Sequence, residues 1–360
     1  MARPSHMVVD LAALISNYRW ACQLAPQSQT MAVVKANAYG HGALVCAQAL
    51  QPYAPAFAVA CIEEALALRE AGIKTPILLL EGTFTADEVA LAGAQDFWLM
   101  VVDPVQVDAI LQAPVSKRLN VWLKIDTGMH RVGLDPEQVQ TYYQQLLESP
   151  KVSKDMVFAT HFASADETRN NFTRLQIERF VSSIKGTKTS VSLANSAAIM
   201  AWPEAHGDWN RAGFMLYGNS PLNEDHASSQ GLQPVMEVWS AVIALRQIDT
   251  DEAVGYGQQW CAQRPSTIAT VAIGYGDGYP RNAASGTPVL VNGQRATIVG
   301  RVSMDMISID VTHLAAINVG DPVCLWGKGL DINEVAHHAG TIGYELMTRV
   351  TGRLPIRYVS

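Results

Sequence analysis

The sequence predicts an α/β chain in two parts: an N-terminal (β/α)8 barrel and a C-terminal, mainly antiparallel β domain. Three observations lead there. Short apolar runs alternate with longer stretches of helical spacing through about the first 230 residues. Those runs are nearly continuous in apolar residues, as a parallel sheet covered on both faces requires. Beyond Gln230 the texture changes to period-two alternation and turn signals. Eight strand–helix units over residues 8–230 approach the ~250 residues usual for a closed barrel of the TIM type. An open doubly wound sheet is the alternative for the same pattern.

The strand candidates are residues 30–34, 56–60, 77–80, 98–102, 120–125, 156–160, 190–193 and 212–216. Residues 63–70 form a helical stretch, and Gly72 follows as its stop signal. Residues 103–111 and 136–147 also have helical spacing. The second domain, 231–360, opens with a strand at 239–245. Residues 288–299 read as a hairpin whose Asn292-Gly293 turn favours type I′ geometry. Residues 307–311 alternate with period two, and one short helix is expected near 332–339.

Composition narrows the function. A chain of 360 residues exceeds one typical domain, and 49% hydrophobic against 16% charged residues excludes a disordered or coiled-coil chain. The net charge of −7 and the lack of a basic run argue against nucleic-acid binding. The longest apolar run, 97–102, is far short of the ~20 residues of a membrane-spanning helix. Residues 1–7 hold one Arg and no apolar run, so they do not read as a signal peptide and stay outside the fold assignment. The five cysteines are odd in number, widely spaced and set in apolar surroundings, which suits buried free thiols in a reducing cytoplasm. No CxxC or HExxH occurs, so no metal site is expected.

Barrel active sites lie at the carboxyl ends of the strands. There the sequence places Lys35 after the first strand, Lys124 to Arg131 at the fifth, and His161 after the sixth. Asn195-Ser196 follow the seventh, and Arg211 and Gly213 flank the eighth. A Lys at the end of a buried strand is desolvated, which favours a neutral amine nucleophile. Such an amine suits a Schiff base with a carbonyl or with pyridoxal phosphate (PLP). The alternative is a Lys snorkelling to solvent. The small residues around Asn195-Ser196 and Arg211-Ala212-Gly213-Phe214 would let backbone N–H groups approach a phosphate. Ser196 as a plain helix N-cap is the other reading.

The run 33–42, Val-Val-Lys-Ala-Asn-Ala-Tyr-Gly-His-Gly, resembles the lysine motif of the bacterial alanine racemase family. So do Lys124 to Gly133, His161-Phe162-Ala163, Val254 to Gly257, Ile273 to Tyr279 and Val302 to Met306, in the family's order. The resemblance covers the chain from about Val8 and implies a PLP-dependent isomerase that interconverts L- and D-alanine for peptidoglycan. It implies that Lys35 holds PLP and acts as the D-side base. Tyr256 would be the L-side base, reaching in from the second subunit of a homodimer; a free phenol, with a pKa near 10, needs tuning for that role. Arg131 would hydrogen-bond Tyr256 and meet the substrate. Arg211 would face the pyridine nitrogen and His161 would pack on the ring. Tyr39, Asn195, Ser196, Gly213, Phe214 and Tyr344 would hold the cofactor. Met304 and Tyr275 would meet the substrate. Lys124 would be carbamylated to N6-carboxylysine, which resolves its repulsion with Arg131; an ordinary Lys paired with Asp126 is the alternative. Where the family more often has Pro after the Arg, Ala212 stands here. Three other readings stay open: a decarboxylase of the same architecture using Cys324, a PLP carrier without turnover, and a cofactor-free barrel hydrolase. Arg211 speaks against the first, and residues 231–360 against the second.

Overall fold

In the computed structural model, which describes residues 3–360, the first strand does not belong to the barrel. This strand, β1 (His6–Asp10), buries Met7 and Val9 on one face. It pairs antiparallel with the strand Met236–Ile248 and parallel with Ile356–Val359. Residues through 13 group with 233–360, and residues 14–232 form the other unit. The start of the barrel domain therefore moves from residue 8 to the helix Leu11–Leu24, and residues 3–7 enter the fold. A five-residue strand running straight into a helix carries no turn signal, so its partner sheet is not legible in the sequence.

In the larger unit, β2 (Gln29–Val33), β3 (Phe57–Val59), β4 (Ile77–Leu79), β5 (Phe97–Val101), β6 (Asn120–Lys124), β7 (Val157–Ala159), β8 (Ser190–Ser192) and β9 (Trp209–Ala212) pair parallel, in the order 8-7-6-5-4-3-2-9. The Arg211 N–H donates to the Ala194 C=O at 3.0 Å, which joins β9 to the end of β8 and closes the barrel. The last strand lies earlier than the expected 212–216. The apolar run Phe214–Tyr217 is instead a buried 3-10 turn. Gly213, at φ −121° and ψ −97°, ends the strand, so Arg211 is a strand residue rather than a flanking one. Between strands, the helix Ile62–Glu70 carries Glu63 and Glu64 in its first turn and Arg69 in its last, complementing its dipole. The helix Pro104–Gln112 is capped by Asp103, which accepts the Val105 N–H at 2.9 Å.

The second unit continues with β10 (Met236–Ile248), β11 (Ala253–Val254), β12 (Trp260–Cys261), β13 (Ser266–Val271), β14 (Pro288–Val291), β15 (Gln294–Ile298), β16 (Ile307–Asp310), β17 (Pro322–Trp326) and β18 (Ile356–Val359). Strand β10 serves three neighbours: residues 236–239 pair with β1, residues 238–241 with β17 and residues 242–248 with β13. Register shifts at 238/239 and 242/244 bend it, and a closed antiparallel ring β10-β13-β16-β15-β14-β17 results. Asn292 at φ +50° and Gly293 at φ +77° give the β14–β15 hairpin its type I′ turn. The expected helix is Ile332–His338, and a second one, Gly343–Thr348, was too short to leave a periodic signal. Among the described residues no helix is long and apolar enough to cross a membrane, and no metal-binding cluster occurs.

Candidate active site

Lys35 lies two residues beyond the end of β2, after Val34, and the backbone beyond it is unusual. Ala36, Asn37, Ala38 and Tyr39 have φ between +51° and +55°, a full left-handed turn without glycine. Each such residue costs roughly 1–2 kcal/mol. The turn persists because its surroundings hold it. Glu64 accepts the Ala36 N–H at 2.6 Å and the Ala60 N–H at 2.8 Å. The buried His41 donates from Nδ1 to the carbonyls of Ala38 and Tyr39, at 2.9 and 3.0 Å. Its ring stacks on Tyr217 at 4.5 Å, and the Tyr217 hydroxyl donates to Val33 C=O at 2.9 Å. Burial pushes His41 down to about 4, so the ring is neutral. Glu64, His41 and Tyr217 had no assigned role in the sequence. His41 lies within the lysine motif, but the other two come from a helix and a turn far along the chain.

Four cationic side chains surround the mouth. Lys35 is lowered from the ordinary lysine range by burial, then by Arg131, against Glu81 and Glu64, with a further push from Arg211. Lys124, buried at the end of β6, is pushed down to about 8 by burial, Arg131 and Arg211. No carboxylate of the described residues lies within ion-pair distance of Lys124. Asp126 instead accepts the N–H groups of Gly128 and His130, at 2.9 and 3.0 Å, and pairs with the His130 ring. Arg211 is buried, and its guanidinium donates to Ser192 Oγ (2.6 Å), Thr160 C=O (2.6 Å), Ser192 C=O (2.9 Å) and Leu193 C=O (3.2 Å). Carbonyl dipoles thus meet its charge and fix its plane. Burial holds it near 10, still protonated at neutral pH. His161 lies well below the usual histidine range through burial and the Arg211, Lys124, Arg131 and Lys35 charges. Arg131 is itself exposed.

Beside Lys35 the loops after β8 and β9 close on each other. Ser196 Oγ accepts the N–H groups of Gly213 at 2.9 Å and Met215 at 3.3 Å. Asn195, not Ser196, caps the short helix Ser196–Ala201, accepting the Ala198 N–H at 3.0 Å. The N-cap reading of Ser196 is thereby corrected. A Cβ on Gly213 would lie 2.8 Å from the Tyr39 hydroxyl, so a side chain there would require that hydroxyl to move. Phe214 is buried at the start of the following turn. The structure therefore brings Lys35, Tyr39, Lys124, Arg131, His161, Asn195, Ser196, Arg211, Gly213 and Phe214 to one end of the barrel.

The other candidates lie in the second unit. Tyr256 sits on the turn between β11 and β12, flanked by Gly255 at φ +77° and Gly257 at φ +72°, and is 72% exposed. Tyr275 begins a 3-10 turn, and its N–H donates to Ser303 C=O at 3.0 Å. A Cβ on Gly300 would lie 2.6 Å from Val254 C=O. The segments carrying Tyr256, Tyr275 and Met304 are therefore neighbours on one face. Met304 is 53% exposed. Tyr344, on the helix Gly343–Thr348, belongs to the same unit and is half-buried.

Fold and mouth together define a class: barrel enzymes built on a desolvated lysine amine, with an antiparallel β domain in the same chain. Residues 9–221 match the alanine racemase N-terminal domain and residues 235–358 the alanine racemase C-terminal domain. The chain belongs to the alanine racemase family, whose members are PLP-dependent isomerases. It is 51% identical to an alanine racemase of Chromohalobacter salexigens, over 99% of this chain and 98% of the relative. It is 50% identical to a catabolic alanine racemase of Pseudomonas putida, over 99% of each. Among solved structures, the biosynthetic alanine racemase of Pseudomonas aeruginosa superposes with a TM-score of 0.97 at 48% identity, covering 99% of this chain and 100% of that one.

Proposed function

We propose that this chain interconverts L- and D-alanine with PLP as cofactor, as a cytoplasmic homodimer that supplies D-alanine for peptidoglycan. The observation that carries the reading is the Lys35 amine, set by its left-handed turn beside the Ser196–Gly213 approach, in a chain half-identical to alanine racemases over its length. These residues suit PLP chemically. Lys35 offers the depressed amine that a carbonyl cofactor needs. Ser196, the Gly213 and Met215 N–H groups, Asn195, Tyr39, Phe214 and Tyr344 would hold its phosphate end. His161 would pack on its ring and Arg211 face its nitrogen. When bound, PLP supplies the electron sink that makes the α-proton of an amino acid removable.

The chain's own residues do the rest. Inversion needs one base on each face of Cα. Lys35 Nζ would take or return the D-side proton, and its lowered affinity for protons favours the free amine. Tyr256 of a second copy would serve the L-side, with Arg131 hydrogen-bonded to its oxygen. A 72% exposed tyrosine on a double-glycine turn supports a partner that covers it. Arg131, Tyr275 and the Met304 N–H would meet the substrate carboxylate. Lys124 would add CO2 as its neutral amine: an N–C bond forms, one proton leaves, and the resulting anion faces Arg131. Arg211 remains protonated and keeps its proton, so it would hydrogen-bond the ring nitrogen without protonating it. Five free cysteines accord with a reducing compartment, but only Cys46 and Cys324 are buried as expected, while Cys261 is exposed and Cys22 and Cys61 are half-buried.

The test uses one preparation. The purified protein should be yellow and convert L-alanine to D-alanine, and Lys35→Ala should lose both colour and activity. A colourless wild-type protein after PLP addition would overturn the reading.

A further inference from the structure

An ion-pair cluster in the second unit has no place in the chemistry above. Asp277 is 0% exposed. Arg3 grips its two carboxylate oxygens from Nη1 and Nη2, at 2.5 and 2.6 Å. Its Oδ2 also accepts the Gly274 N–H at 3.0 Å, and Arg353 Nε stands 3.4 Å from its Oδ1. Arg353 Nη2 continues to the Asp305 carboxylate at 2.6 Å, and Arg3 Nη2 reaches the Asp305 C=O at 3.4 Å. Two arginines from opposite ends of the chain thus bridge Asp277 to Asp305.

Those two aspartates flank Tyr275 and Met304. Asp277 ends the turn Tyr275–Asp277, and Asp305 follows Met304. The backbones of the two loops are also laced together. The Tyr275 N–H donates to Ser303 C=O at 3.0 Å and the Gly276 N–H to Met304 C=O at 2.8 Å. The approach is close: a Cβ on Gly274 would collide with the Ser303 C=O, and one on Gly276 would displace the Arg353 guanidinium. The 303–304 peptide is trans, so its C=O and its N–H point oppositely. Holding the Ser303 C=O toward Tyr275 therefore aims the Met304 N–H the other way.

We infer that Arg3 and Arg353, through Asp277 and Asp305, are positioning residues that set the Met304 N–H and the Tyr275 ring for the substrate carboxylate. This rests on the reading that those two groups meet the substrate. An N–H that binds the carboxylate alike in ground and transition state governs KM more than kcat. The holoenzyme and its Arg3→Ala and Arg3→Lys variants are compared by steady-state kinetics with L-alanine, by inhibition with propionate as a bare carboxylate probe, and by hydrogen exchange. Arg3→Ala should speed exchange in residues 274–278 and 303–306. It should raise the KM and the propionate inhibition constant together by about tenfold, with kcat within about twofold and the cofactor absorbance unchanged. Arg3→Lys should recover part of the KM. Should Arg3→Ala fail to fold, Arg353→Lys, which keeps the charge but not the fork, should show the same split. An unchanged KM in a variant whose two loops exchange faster overturns the inference, as does a fall in kcat with KM constant. A wild-type protein that binds PLP but neither racemises alanine nor is inhibited by propionate overturns the parent reading, and the inference with it.

Discussion

The left-handed turn after Lys35 should yield to a single methyl deletion. Ala36 sits at φ +51° and ψ +50°, and its side chain is exposed, so Ala36→Gly removes strain without emptying any core contact. The strain relieved is roughly 1–2 kcal/mol for one L-residue in this region. Against it stands the extra freedom that glycine loses on ordering, about 0.5–1 kcal/mol. The net is a local stabilisation of up to about 1.5 kcal/mol, centred on ~0.75 kcal/mol, opposite in sign to an ordinary alanine-to-glycine change in a right-handed helix. The turn reports on itself, because the Gly40 N–H donates to Ala36 C=O at 3.0 Å and the Gly42 N–H to Asn37 C=O at 2.9 Å. Amide exchange at Gly40 and Gly42 in the holoenzyme should slow by roughly two- to fivefold. Ala36→Val should speed it, since a β-branched side chain tolerates this region worst. Faster exchange in Ala36→Gly would refute the strain argument and the turn that carries it.

Three further outcomes follow from the same geometry. His41 titrates near 4 in the fold against about 6.5 when unfolded, so the stability it lends is complete above about pH 6.5 and falls as pH drops through 4, by about 3 kcal/mol in all; His41→Phe should flatten that stretch of a pH–denaturation curve, and equal slopes would contradict it. Tyr256→Phe should keep PLP and lose exchange of the L-alanine α-proton in heavy water, whereas rapid exchange would remove Tyr256 from its role. Lys124, pushed down to about 8, should take up CO2 more readily as pH rises toward 8 and level off above it; carbon NMR with labelled bicarbonate should show a carbamate signal that Lys124→Arg lacks.

The barrel was legible because near-continuous apolar strands and intervening helices leave a strong pattern. The type I′ hairpin was legible because Asn292-Gly293 has few other uses. Two places escaped for opposite reasons. At β9 the apolar run 214–217 drew the strand forward, yet Trp209-Asn210-Arg211 forms it, because a barrel interior can take a buried arginine if carbonyls meet its charge. At β1 no strand was expected, because five residues running straight into a helix carry too short an alternation to stand out. The site divided along the same line. Lys35, Lys124 and Arg211 stood out because a cation at a strand end is chemically odd. Glu64, Tyr217 and the Arg3–Asp277 pair did not, because their partners lie 28, 184 and 274 residues away along the chain.

The charge of the mouth suits what it is proposed to hold. Four cations at the strand ends repel one another, and Glu64, Glu81 and Asp126 offset them only in part. In isolation such a cluster is costly, because each buried cation loses its hydration. A phosphate and a substrate carboxylate would supply the missing negative charge. Meanwhile burial, and after it the repulsion, lowers the proton affinity of the lysine proposed as a base. A site with a carboxylate in place of Arg211 would offset more of the charge but would raise that affinity again. The carbonyl cage around Arg211 avoids this: it steadies the guanidinium with dipoles and leaves the field at Lys35 positive.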